Sequence, residues 1–154
     1  MRLDVSNSTN PVIKSIYRTF SMLNFVLEGN FVYSGFAFES ASALEKIDVC
    51  EPERPFFSDS FMLQSNAFLV DENRIYSGTY PGLVVADLFS QGTHELVSQV
   101  ELPFKSLREL VQHDSQPVLF GLEQMYRPES LLFIFLLDDK GKITLLEEEG
   151  DWQR

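Results

Sequence analysis

The feature that most constrains this chain is a near-repeat inside it. Residues 25–35, Phe25-Val26-Leu27-Glu28-Gly29-Asn30-Phe31-Val32-Tyr33-Ser34-Gly35, align without gaps on residues 68–78, Phe68-Leu69-Val70-Asp71-Glu72-Asn73-Arg74-Ile75-Tyr76-Ser77-Gly78. Phe, Asn, Tyr, Ser and Gly are identical, and most of the other positions exchange like for like. Residues 135–143, Phe135-Leu136-Leu137-Asp138-Asp139-Lys140-Gly141-Lys142-Ile143, follow the same plan with one more residue in the middle. Each stretch is an apolar run, an acidic turn and a second apolar run. The turn residues are of the kinds that tolerate left-handed or tightly turned backbone. Three antiparallel hairpins, turning near Gly29, Glu72 and Lys140, are therefore expected. Duplication of a strand–turn–strand unit and convergence on good turn chemistry both account for the similarity.

Helical signals are read between the hairpins. Asn10-Pro11 suits a helix start, with Asn10 as cap and Pro11 where a missing N–H costs nothing. Val12, Ile13, Ile16, Tyr17, Phe20 and Leu23 then recur at spacings of three and four, which predicts an amphipathic helix over 11–22. Ser42-Ala43-Leu44-Glu45 has the capping-box pattern of a short helix running to about Val49. Leu107, Leu110 and Val111 give helical spacing to 104–112. Residues 50–60, with Pro52 and Pro55, read as a loop. Further strands are expected over 83–89, 94–102 and 118–125. The run 131–137 lacks polar alternation, so it is expected to be a central strand covered on both faces.

Together these elements predict an α+β domain: a mainly antiparallel sheet built from hairpins, packed against the N-terminal amphipathic helix and one or two short helices. At 154 residues, 44% of them hydrophobic, the chain has the size and composition of one globular domain. No linker or composition shift divides it, and 1–9 and 149–154 are the segments expected to fray.

Charge narrows the partners. Twelve Lys and Arg against 23 Asp and Glu give a net charge of -11, which argues against nucleic acid or an anionic membrane as a direct partner. The surplus is uneven: Arg2, Lys14 and Arg18 face Asp4 alone before residue 28, and acid gathers over 138–151. The single cysteine, Cys50, excludes an intramolecular disulfide framework. Residues 1–10 lack the apolar core of a signal peptide, and the longest apolar run is too short for a membrane helix. A cytoplasmic setting is the expectation.

Chemistry-bearing motifs are scarce. The two histidines, His94 and His113, show no ligand spacing, so no metal site or cofactor is expected. Cys50 is followed by Glu51, Pro52 and Glu53, whose carboxylates raise a thiol pKa rather than lower it. Asp71-Glu72 and Asp138-Asp139 lack the twelve-position calcium pattern. The glycines form no phosphate-binding loop, and the repeated Tyr-Ser-Gly is read as a strand-end bulge or bend. No catalytic residue is assigned.

Two functional classes remain. The first is a non-enzymatic module that docks on, and neutralises, a basic protein; the immunity protein of a nuclease-type toxin is one concrete instance. Its expected contact residues are the acidic tips Asp71, Glu72, Asp138 and Asp139, with Phe56 and Phe57 as aromatic anchors in the loop. The second is an enzyme or small-ligand binder whose site is assembled from scattered Tyr, Glu, His and Arg residues.

Overall fold

The computed structural model describes residues 2–4, 12–18, 24–38, 41–63, 67–79, 82–102, 107–112, 118–124 and 130–149. Within them every regular element is a β-strand. Strands β1 (Arg2–Asp4) and β2 (Val12–Ser15) form an antiparallel pair. Three four-stranded antiparallel sheets follow in series, each with its strands in chain order. Sheet 1 comprises β3 (Asn24–Glu28), β4 (Phe31–Phe38), β5 (Ala41–Asp48) and β6 (Phe56–Phe61). Sheet 2 comprises β7 (Ala67–Asp71), β8 (Arg74–Thr79), β9 (Gly82–Leu88) and β10 (His94–Glu101). Sheet 3 comprises β11 (Leu107–Gln112), β12 (Val118–Gln124), β13 (Ser130–Leu137) and β14 (Ile143–Glu149).

The α+β expectation is therefore overturned, and each helix expected within the described residues is a strand. Val12–Ser15 pairs with β1 instead of opening a helix, consistent with the β-branched Val12 and Ile13, which suit strands. Residues 11 and 19–22 of that expected helix lie outside the described residues. The capping-box segment is β5, hydrogen-bonded between β4 and β6. Its alternation is plain once the sheet is present, because Leu44 faces sheet 2 while Ala43, Glu45 and Ile47 take the opposite face. The third helix is β11. A register shift between Leu107 and Glu109 inserts an extra residue, and Leu107 and Leu110 consequently bury in the same cluster. A bulge thus imitates the helical spacing of three. The expected 50–60 loop is also shortened, since β6 begins at Phe56.

All three expected hairpins are present. The first two occupy equivalent places, opening sheets 1 and 2 as β3–β4 and β7–β8, with matching registers. In both, the first turn residue has positive φ, Gly29 at 55° and Glu72 at 54°. In both, the turn asparagine carbonyl accepts a backbone hydrogen bond from the end of the third strand, from Val49 to Asn30 and from Leu88 to Asn73. The third hairpin, β13–β14, closes its sheet instead of opening it.

The sheets stack face to face. Alternate residues of sheet 2 go to different neighbours: Phe68, Val70, Ile75, Ala86 and Leu88 join Tyr33, Leu44 and Phe61 of sheet 1 in one buried cluster. Ala67, Tyr76, Leu83 and Val85 join Leu107, Leu110, Phe133 and Phe135 of sheet 3 in the other. Sheet 2 is thus covered on both faces, which is why 83–88 reads as nearly continuous apolar sequence. The first strands are neighbours, β7 packing against both β3 and β11. On the outer side, the Ile143 amide donates to Ser98 Oγ at 3.2 Å and ties β14 to β10. Serial four-stranded sheets stacked radially are the building plan of β-propellers.

Strand β13 is interior to its sheet, but only one of its faces is sealed. Phe133, Phe135 and Leu137 are buried, with the two Phe rings stacked at 6.3 Å. Leu132 and Ile134 are half-buried and Leu136 is exposed. The expectation of cover on both faces fails because sheet 3 is the last described layer of the stack.

Candidate functional site

The fold gathers two of the acidic turns at one end. The side chain of Arg74, just past the β7–β8 turn, lies directly against Gly141 in the β13–β14 turn. A Cβ at Gly141 would overlap the guanidinium, and Gly141 has φ 79°, so glycine answers both requirements there. This contact brings Asp71 and Glu72 to the same end as Asp138 and Asp139, and all four are exposed. The β3–β4 turn points the same way, because Phe31 beside it packs on the cluster that holds Val70, Ile75 and Leu88.

Local hydrogen bonds shape these tips. Asp138 Oδ1 accepts from the amides of Lys140 and Lys142, and the Gly141 amide donates to the Asp138 carbonyl. Asp138 thereby holds the longer turn closed with its own side chain. Asp71 and Glu72 sit on a tight turn in which Glu72 takes the left-handed conformation without being glycine.

Arg74 anchors the end. Its Nε donates to Asp87 Oδ1 at 2.7 Å and a terminal nitrogen to Oδ2 at 3.1 Å, a two-pronged pair between β8 and β9. The bond to Arg74 lowers the Asp87 carboxyl below its ordinary value, and the same bond raises Arg74. Burial raises the Tyr76 hydroxyl, and the nearby Arg74 opposes that shift. Because Asp87 engages Arg74, the tip carboxylates at 71, 72, 138 and 139 face solvent over a cation already committed to another acid.

Phe56 lies at the same end of the stack, in register with Asp48 and through it with Phe31 beside the β3–β4 turn. Phe56 and Phe57 are both exposed on β6, the edge strand of sheet 1, rather than in a loop. Phe57 lies opposite the buried Ile47, on the face of sheet 1 turned away from sheet 2. That face also carries the exposed Phe25 and Leu27. In the register Ser34 stands opposite Glu45 there, and both are buried. The Ser34 hydroxyl has no hydrogen-bond partner among the described residues. Tyr17, which follows β2, is raised first by burial and then by the charge of Glu45, placing the 16–18 segment near this face. The buried Ser34 and Glu45 escaped sequence reading, because one dimension does not show which side of β5 is sealed.

The other sequence-level candidates are ordinary. Cys50 is exposed, and its thiol is raised chiefly by a hydrogen bond to Asp48, whereas Glu51 lowers it through a backbone hydrogen bond and raises it less by its charge. The direction is the one expected, though the main agent is Asp48. His94 is exposed on the edge strand β10, where it pairs in register with Leu88. His113 lies outside the described residues. Gly78 of the repeated Tyr-Ser-Gly is not at a bulge: a Cβ there would meet Leu107 Cβ at 2.8 Å, so the glycine permits close stacking of sheets 2 and 3. Among the described residues no group of His, Cys, Asp or Glu is arranged to hold a metal ion, and no helix is long and apolar enough to cross a membrane. Comparison with protein-family models and with curated protein sequences found no match.

Proposed function

We propose that this chain is a cytoplasmic protein-binding module that presents its acidic hairpin end to a basic partner protein. One observation carries the reading: the fold brings the Asp71-Glu72 and Asp138-Asp139 tips to one end through the Arg74–Gly141 contact and leaves all four carboxylates exposed. Tips that project from a rigid sheet offer charge at little cost to the core. Two sequence-distant acidic turns meeting there make a denser field than either alone, which favours capture of a cation-rich surface. The net charge of -11 extends that field over the whole chain.

Complementary charge acts mainly on encounter, and salt shortens its reach to about 8 Å at physiological ionic strength. A partner captured on the immobilised chain should therefore associate more slowly as salt rises, while its dissociation changes less. Reversing the tips together, Asp71→Lys, Glu72→Lys, Asp138→Lys and Asp139→Lys, should slow association further while the protein stays folded. Asp138 accepts two turn amides, so a second variant confined to Asp71→Lys and Glu72→Lys separates loss of charge from loss of the turn. An association rate indifferent to salt and to both variants would remove the proposal.

A further inference from the structure

At the acidic end, sheet 1 places a carboxylate between two aromatic rings. Phe31, Asp48 and Phe56 stand opposite one another on β4, β5 and β6, and so share the face of sheet 1 that turns towards sheet 2. Asp48 is held in position there, its Oδ1 accepting the Cys50 amide at 2.8 Å. One step further from the turn, Lys46 stands opposite Tyr33 on the same face. Its ammonium lies over the Phe31 ring, 4.0 Å from the centroid, and 5.6 Å from that of Tyr33. One of the two rings beside Asp48 thus holds a cation supplied by the chain itself. The other, Phe56, is 54% exposed, and among the described residues no cation lies over it.

We infer that Phe56 seats an arginine side chain of the basic partner, the guanidinium lying flat on the ring with its edge turned to Asp48. Directly opposed side chains on an antiparallel pair have Cβ atoms about 4.5–5.5 Å apart, so one planar guanidinium spans the ring and the carboxylate. A lysine ammonium is a compact point charge that meets one of the two at a time. The negative face of an aromatic ring attracts cations, arginine more often than lysine. The occupant is cationic for two reasons. Lys46 shows what a ring beside Asp48 receives, and the surroundings are acidic, with exposed Glu51 and Glu53 against Arg54 in the connection before β6. Arginine and aromatic side chains are also the commonest anchors of protein interfaces. The seat rests on the proposed docking of the acidic end and adds to it: the tips at 71, 72, 138 and 139 speed encounter, whereas Phe56 selects which cation stays.

The test titrates the full chain into fluorescent hexa-arginine and hexa-lysine peptides and follows anisotropy at low salt. The arginine peptide should bind more tightly than the lysine peptide. Phe56→Leu, which keeps an apolar side chain and removes the ring, should weaken the arginine peptide by about two- to thirty-fold, the range of a cation–ring contact from exposed to desolvated. Phe56→Tyr should retain the parent's affinity. Asp48→Asn, which keeps an acceptor for the Cys50 amide, should weaken the arginine peptide as well. Each variant should show the far-ultraviolet dichroism of the parent. If Asp71→Lys with Glu72→Lys weakens binding but Phe56→Leu does not, the arginine seat is overturned and the acidic end stands as the docking surface. If Phe56→Leu weakens binding but the tip reversal does not, the acidic end is overturned instead. Equal affinity of the parent for the two peptides overturns the seat, and no binding of either peptide overturns both.

Discussion

At the scale of single residues, a charged pair holds a turn in place. Arg74 and Asp87 meet through two hydrogen bonds just behind the acidic tips, and Arg74 also supports the neighbouring turn at Gly141. Because the folded-state pKa of Asp87 is lowered, the pair's contribution to stability is complete above the ordinary carboxylate range. It is lost as pH falls through the lowered value. Asp87→Asn should therefore be less stable than the parent at neutral pH, and the difference should shrink below about pH 4, near the ordinary Asp value. Thermal unfolding of both proteins across that range measures it. A difference that stays constant into acid would mean that Asp87 acts through its shape and not its charge.

At the scale of elements, the stacking distance between sheets is set by what β8 lacks. Gly78 lets Leu107 of β11 approach so closely that any side chain must displace backbone or core. Gly78→Ala should destabilise the protein by about 1–3 kcal/mol, the usual cost of overpacking a filled interior. Denaturant unfolding would report it as a lower midpoint with unchanged slope. A neutral result would show that sheets 2 and 3 slide apart freely. The same strand, β11, explains how a helix was read where none exists. Its bulge puts Leu107 and Leu110 in the same cluster, and no property of residues 104–112 alone separates that pattern from a helical stripe. The hairpins were legible by contrast. Their information is local: a short turn flanked by apolar runs decides its own geometry.

At the scale of the whole molecule, order of stacking ranks the strands by protection. Sheet 2 is buried on both faces, whereas sheet 3 turns Val111, Leu136 and Leu146 outward. Amides of β8 and β9 should exchange with solvent more slowly than those of β13, although all three strands are interior to their own sheets. Hydrogen exchange followed by mass spectrometry or NMR checks this ranking in the parent protein. Equal protection of these strands would mean that the outer face of sheet 3 is covered as well as its inner one.

The hairpins, the turn chemistry at Gly29, Glu72 and Asp138, the burial of Phe133 and Phe135, and the excess of acid are all legible in the amino-acid order. Each of these depends on residues within a few positions of one another, or on a sum over the chain. Long-range packing is what makes 42–48 and 107–112 strands, sets Phe57 on one face with Phe25 and Leu27, and brings two distant acidic turns together across Arg74 and Gly141. The physical reason is the same in each case. A strand's hydrogen bonds and buried faces are supplied by other segments. The Ser42-Ala43-Leu44-Glu45 signal for a helix start carries at most about 2 kcal/mol as a cap. That is outweighed when β4 and β6 take up the backbone of β5 on both sides and Leu44 is sealed against sheet 2.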